Sequence, residues 1–502
     1  MAVIGGGACG IMACAALVRE AAATGRTALD VHLVEKQARL GDGVAYATPY
    51  DWHLLNMQAA TMSAAPDDPD DFTTWLREQP PADSAPPDGL PHAYVPRHRF
   101  AAYLRHRFAD TVRAAEHAGI RIEVHRTEIL DCHPWGDRLT LECAHGMKLP
   151  AVDRIVLSLG DLPSPAYREL TGHPRYHPDP WQLGDNIAPA ATVGVLGTGL
   201  TAVDALAQLH ATGHHGPLHC FSRNRPFPTV QPPVLTSYRL RHLTPERLEQ
   251  LTAGGARQLS LPQVAALFLQ DFQDATNGAL GAAQLLHRAR THDGFAADIA
   301  EAQAHHTSWY EALDATSQLA PYLWQAMSSQ AKTDFLARYH SLWAIWRHPM
   351  PLPNARRLHH MHHTGQLHWH TGIQNIAAGH NGGFEAHCHH DDRHRTWHID
   401  HLINATGTSY QPWLTASPLL TALLDRGALA AHPLGGIDVD FHTLQATPKA
   451  DQRLYYIGPL TRGVHFYTNA IETNLANSAR MATHLIRALP PSPAERPAPM
   501  AR

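Results

Sequence analysis

Hydrophobic and polar positions along the chain alternate between two periods. Short apolar runs, each broken by glycine and followed by a helical repeat, open the sequence: "MAVIGGGACGIMACAALV" gives a strand at Ala2 to Ile4 and a helix from about Gly10 to Ala23. A second strand, "LDVHLVEK", ends in Glu35. Between 97 and 119 the apolar residues Phe100, Tyr103, Leu104, Phe108 and Val112 recur at helical spacing, and "RIEVHRTEIL" and "DRIVLSLG" then read as strands. The strand, glycine turn and helix pattern starts again at Thr192 with "VGVLGTGLTAVDAL" and passes into a strand "PLHCFSRN". From 241 to 347 the period is mostly helical and rich in Leu, Ala, His and Trp. Beyond it come "GQLHWHTGIQNI", a hairpin pattern "FEAHCHHDDRHRTWHIDHLINATG" with its turn at Asp391-Asp392, a strand "RLYYIGP", and a helix around 470 to 488. The Pro-rich stretches "QPPADSAPPDGLP" (79 to 91) and "PPSPAERPAPMAR" read as a surface loop and a disordered tail.

Composition changes this picture little. The chain has 502 residues, 44% hydrophobic and 17% charged, which suits a multi-domain globular protein. A formal net charge of -5 offers no basic field for nucleic acid or an acidic membrane. No run approaches the ~18 apolar residues of a membrane span. The apolar start lacks a cationic leader region, and its glycines hold a functional spacing, so a secretory signal is not expected. Six cysteines (Cys9, Cys14, Cys132, Cys143, Cys220 and Cys388) show no CxxC pair, as in a reducing, cytoplasmic setting.

Two glycine motifs carry the chemistry. Gly5-x-Gly7-x-x-Gly10 follows one strand and opens one helix, so its glycines turn the chain, admit a pyrophosphate to the backbone and let helix pack on strand. Glu35, at the end of the next strand, is placed to accept both ribose hydroxyls, which suits FAD or NAD and repels a 2'-phosphate. The plainer reading is a charged residue at a strand end. In the second motif, Gly197-x-Gly199-x-x-Ala202, the following strand ends in Ser222-Arg223 instead of an acid. A hydroxyl and a guanidinium there suit the 2'-phosphate of NADPH, unless Arg223 is simply an exposed loop residue. Hydride would then pass from a mobile nicotinamide to a resident flavin. The fold class that follows is α/β, with two Rossmann-like dinucleotide-binding domains and a helical insert.

With both motifs in place, "HLINATGTSYQPW" (401 to 413) and "LYYIGP" resemble the returning and final segments of two-dinucleotide flavoproteins. The resemblance adds Ala405, Thr406, Gly407 and Gly458 to the cofactor-binding set. It implies an FAD domain split over 1–165 and 395–490, an NADPH domain over 185–240 and 348–394, the helical insert at 241–347, and the tail at 491–502. Two further stretches, "LLNMQAATMSAAPDDPDDFTTWL" (54 to 76) and "YVPRHRFAAYL", resemble flavin-dependent N-hydroxylating monooxygenases of the ornithine and lysine N-hydroxylase type.

That resemblance implies an NADPH- and O2-dependent enzyme acting through a flavin C4a-hydroperoxide on the nitrogen of a small amine or amino acid, and it implies homo-oligomers. Asn56, Met57 and Gln58 become candidates for the flavin-facing lining, or else a loop packed under the sheet. His465 and Asn469, at the start of the last helix, are candidates to face ring or substrate, or an ordinary capped helix. Arg347 is a candidate for a substrate carboxylate, or a helix end packed on the core. The sequence departs from the ornithine hydroxylases after Gln58, where Ala59 and Ala60 replace any basic residue, and through 241 to 347. The alternatives are an NADPH-dependent flavin reductase or oxidase without oxygen transfer, and a flavin-binding sensor. The pairs at His359 and His363 and the run at His387, Cys388, His389 and His390 are not expected to hold a metal, because histidines are spread throughout, 39 in all.

Overall fold

The computed structural model describes residues 1–489 except 81–86, 161, 163, 185, 224–226, 282, 284–291, 380, 391–392, 412–416 and 448–450. The 491–502 tail, the Asp391-Asp392 turn and residues 81–86 of the 79 to 91 loop therefore lie outside the described residues. In chain order the strands are β1 (Ala2–Ile4), β2 (Asp30–Glu35), β3 (Arg121–Arg126), β4 (Ile129–Trp135), β5 (Arg138–Cys143), β6 (Ile155–Leu157), β7 (Tyr176–His177) and β8 (Val193–Leu196). They continue as β9 (Leu218–Phe221), β10 (Leu367–His370), β11 (Ile373–Ala378), β12 (Phe384–His390), β13 (Arg393–Ile399), β14 (His401–Asn404) and β15 (Leu454–Tyr456).

Two parallel sheets form, in the orders β15-β6-β1-β2-β3 and β10-β9-β8-β14-β7. In each, the glycine-turn strand (β1 or β8) lies at the centre, and the strand after its helix pairs beside it. Parallel strands need crossover connections, and here the crossover after each glycine turn is a helix, Ala8–Ala23 or Leu200–Ala211. Buried on both faces, the strands read as continuous apolar runs.

The first sheet packs one face on Ala8–Ala23, Arg97–His117 and Ile471–Ala488, where Phe100, Tyr103 and Leu104 are fully buried. Its other face carries the β4–β5 hairpin and helix Pro418–Asp425. The second sheet packs on Leu200–Ala211 and Leu352–His363, and the antiparallel β11–β12–β13 sheet covers its other face. Two boundaries move from their sequence positions. β7 precedes 185 and β14 follows 395, yet both pair in the second sheet. They are short strands set by that pairing, and no local pattern marks which sheet they join.

The region expected to be helical contains Pro245–Thr252, Leu261–Ala275, Ser308–Ala315, Ala320–Ala326, Ser329–Arg338 and His340–Arg347. Its helix His292–Gln303 instead buries Phe295 and Ile299 against the second sheet's core. Among the described residues no helix is long and apolar enough to cross a membrane.

Candidate functional site

The first glycine turn is tight. Gly5 takes φ 107°, where L side chains are strained, and a Cβ on it would stand 2.2 Å from the Ser158 carbonyl oxygen. A Cβ on Gly10 would stand 1.9 Å from the Gly5 carbonyl oxygen, so only glycine lets the helix settle on the strand. Gly7 begins the helix without a side-chain cap, leaving its first N–H groups to other acceptors. A Cβ at Gly7 would meet only the Gly43 Cα, at 3.6 Å. Glu35 is buried at the end of β2; its Oε2 accepts the Gly6 N–H at 2.7 Å and its Oε1 the Gln37 N–H at 2.8 Å. Each oxygen keeps a lone pair for a ribose hydroxyl. Gly458, at φ 104°, closes over this turn, with its Cβ position 3.1 Å from Cys9 Sγ.

The second turn repeats the strand contact but not the enclosure. Gly197 has φ 110°, and a Cβ there would lie 2.4 Å from the Ala405 carbonyl oxygen. Gly199, which starts the second helix without a side-chain cap, has nothing within 4 Å of its Cβ position. Ala202 is fully buried where that helix meets the sheet. Ser222 and Arg223 follow β9, and their backbone is fixed by the Ser222 N–H bond to His370 O and by Gly372 N–H to Arg223 O. The Arg223 side chain is exposed and makes no hydrogen bond or ion pair among the described residues. Backbone amides, an uncapped helix start and a free guanidinium form a donor set suited to a phosphorylated dinucleotide.

One cavity of about 1690 Å³ joins this turn to the first domain. Its walls include Gly197, Gly199, Ser222 and Arg223 on one side, Ala405, Thr406 and Gly407 at the join, and Asn56, Met57 and Asn469 on the other. Several wall residues escape sequence reasoning. Arg462 lies over the Tyr410 ring at 4.1 Å, and both line the cavity. Tyr467, Glu472, His340 and His348 add to the same wall. Burial pushes the Glu472 carboxyl up, and pushes His348 down to about 3 with help from neighbouring Arg347. Tyr467 and Glu472 lie beside Asn469 at the start of the last described helix, and nothing local indicates which side chains there face inward.

Three candidate residues do not form the wall. Gln58 is buried, and its Nε2 donates to the Pro232 and Pro233 carbonyls at 3.1 and 2.9 Å, while its Oε1 meets His92 Nδ1 at 3.1 Å. Its amide is used up in tying the segment to the second domain. His465 is fully buried against Phe441, with Nε2 2.9 Å from the Phe441 carbonyl, and burial lowers it to about 4. Arg347 is also fully buried beneath the wall, bonded through Nη2 to Ser317 Oγ and 3.3 Å from Asp314 Oδ1, with its Cζ 4.7 Å from the Tyr467 ring centre. Arg347 braces the wall from behind. Asn469 stays on the cavity, 3.4 Å from the Tyr410 hydroxyl.

A joint between the domains lies nearby. Arg97, from the "YVPR" stretch, pairs with Asp204 of the second glycine-turn helix at 2.9 Å. Asp204 also accepts Trp181 Nε1 at 3.0 Å, and its backbone carbonyl meets His53 Nε2 at 3.2 Å. This side of the nucleotide helix is therefore locked to the first domain. The His359 and His363 rings only stack, 6.3 Å apart. Among the described residues, three converging ligand atoms occur at His32, Glu123 and His125 and at Asp131, His133 and Glu142, and not at the two histidine runs that stand out in the sequence.

Residues 2–162 match the family model described as FAD-NAD(P)-binding. No curated protein sequence matches the chain. Its fold is similar to that of L-lysine 6-monooxygenase from Pseudomonas syringae (TM-score 0.57, 16% identity, covering 97% of this chain and 99% of that one). It is also similar to a lysine monooxygenase from Nocardia farcinica (TM-score 0.53, 15% identity, 96% and 98% covered). A third likeness is the reduced form of ornithine hydroxylase from Pseudomonas aeruginosa (TM-score 0.52, 17% identity, 97% and 98% covered). At these identities the likeness establishes the fold. Residues 2–162 carry the match to the FAD-NAD(P)-binding model, and the whole chain shares the α/β fold of these structures, with its two Rossmann-like sheets.

Proposed function

We propose that the protein is an FAD- and NADPH-dependent monooxygenase that hydroxylates the nitrogen of a small amine or amino acid. The observation that carries this reading is the shared cavity, which runs from Gly199 and Arg223 to Asn56, Met57 and Asn469. The residues present fit both groups. Gly5, Gly7, Gly10, Glu35 and Gly458 would hold FAD, and Gly197, Gly199, Ser222 and Arg223 would hold NADPH. FAD, when bound, supplies hydride acceptance and oxygen activation, which no side chain offers.

The chain's own contribution is positioning and shielding. Arg223 would grip the 2'-phosphate by planar donors. Met57, Leu336, Ala344 and Ile345 give the cavity apolar wall that keeps water from the reacting atoms. Glu472 on the same wall, its carboxyl pushed up by burial, would pair with a cationic amine and take the proton that the amine must lose before it accepts oxygen. The likeness to lysine and ornithine hydroxylases supports the choice of nitrogen as acceptor.

The test is the fate of electrons from NADPH in the FAD-loaded protein, across a panel of diamines and amino acids. One substrate is expected to give hydroxylamine product nearly equimolar with NADPH consumed. Release of all electrons as hydrogen peroxide with every amine would favour a flavin oxidase or reductase without oxygen transfer.

A further inference from the structure

The edge of the first sheet carries a side-chain cluster unrelated to the dinucleotide cavity. β2 and β3 run parallel with His32 opposite Glu123 and Val34 opposite His125. Residues 123 and 125 share a face of the edge strand because side chains alternate with period two. That register brings three ligand atoms from both strands to one point. His32 Nδ1 lies 3.1 Å from His125 Nε2 and 3.3 Å from Glu123 Oε2, and His125 Nε2 lies 3.7 Å from the same oxygen.

From this triangle we infer that His32, Glu123 and His125 form a binding site for a zinc-type divalent cation, with the fourth position left to water. Tetrahedral zinc with bonds of about 2.0–2.1 Å separates its ligand atoms by about 3.3–3.4 Å. The three distances fall around that value. An octahedral ion at similar bond lengths would draw cis ligands to about 3 Å. Two imidazoles and a carboxylate are also the donor set that suits zinc over magnesium or calcium.

Hydrogen bonding alone serves the triangle poorly. A proton on His32 Nδ1 points at His125 or at Glu123, never at both, whereas a cation at the centre satisfies all three atoms. Glu123 is also prepared to bind through one oxygen, since Arg121 pairs with its other oxygen, Oε1. A bound ion would staple β3, the edge strand of this sheet among the described residues, to β2.

The experiment uses the full chain, stripped with a chelator and titrated with Zn2+ alone against a chromogenic competitor. One equivalent is expected to bind tightly. His125→Ala and Glu123→Gln should weaken that equivalent by more than the about 10- to 100-fold that loss of an outer-shell partner costs at such sites. A control variant, His359→Ala with His363→Ala, should leave it unchanged. Far-ultraviolet circular dichroism of each variant checks that it has folded. Co2+ added to the wild-type chain gives an answer independent of mutation, with intense visible bands for tetrahedral coordination. Absence of a tight equivalent, weak octahedral cobalt bands, or zinc binding unchanged in His125→Ala would each overturn the assignment.

Discussion

The two glycine turns share a motif and differ in enclosure. At the first, a Cβ on Gly7 would touch the Gly43 Cα at 3.6 Å, Gly6 packs against Leu40 and Glu35, and Gly458 closes over the helix start. At the second, Gly199 faces open space and Arg223 stands exposed at the mouth of the cavity. The first site is built into the core, between sheet and helices that include the chain's last one. The second opens sideways onto shared volume. Under the proposed function, a ligand in the first would be held within the fold, while one in the second could enter and leave. That is the division between resident flavin and exchanging NADPH.

The sharpest way to break the comparison is Gly10→Ala. The new methyl would collide with a backbone oxygen rather than a flexible side chain, at 1.9 Å. Overpacking of that kind costs about 1–3 kcal/mol or more, so the variant should retain less than about a tenth of the wild-type flavin when purified. Flavin absorbance per protein measures it directly.

Next in size is the joint that fixes the second turn to the first domain. Arg97→Ala leaves Asp204 buried without its cation, which costs about 3–5 kcal/mol when a buried pair is broken from one side. Urea unfolding should show that loss, and the second domain should lose its ordered contact first. An unfolding midpoint like the wild type's would mean the joint does not hold the domains together.

A smaller and more selective effect is expected at the open site. Arg223→Ala removes a charge-assisted contact, so KM for NADPH should rise about 10- to 100-fold with kcat little altered. Use of NADH should be unaffected, so the preference between the two collapses. An equal change with both nucleotides would place Arg223 elsewhere in the mechanism.

A separate effect, spread over a pH window, concerns acid. In the second sheet His177 and His219 are each lowered to about 4, by burial and then by a neighbouring histidine, His401 and His368 respectively. Their unfolded forms take up a proton near pH 6.5 and their folded forms do not, so the unfolded state binds more protons below that pH. Stability should therefore fall as pH drops from 6.5 to 4, by about 1 kcal/mol per pH unit for each. Hydrogen exchange across that window should open the second sheet before the first.

Much of this organisation is legible in the residues alone. Both strand, glycine turn and helix units announce themselves because the turn needs glycine at set offsets and the flanking periods are strong. The places of Glu35 and Ser222-Arg223 at the ends of the strands that follow each glycine-turn helix are legible because the strand periods end there. The failures share one cause. Gln58 is held by carbonyls 174 and 175 positions away, and Arg347 is held by Ser317 and Asp314 inside the helical region. Which way such a side chain turns depends on partners that only the tertiary fold supplies. β7 and β14 are too short to show their sheet, and the His32, Glu123 and His125 cluster needs the β2–β3 register.

The proposed function rests on hydride passing from a dinucleotide at the second turn to a flavin that reaches the same cavity past Asn56, Met57 and Asn469. Anaerobic mixing of the FAD-loaded protein with NADPH, followed by flavin absorbance, tests it most directly. The account predicts full bleaching of the visible flavin band by one equivalent of NADPH, slowed in Arg223→Ala at low NADPH and restored when NADPH is raised. A flavin band that stays unbleached at saturating NADPH would contradict it.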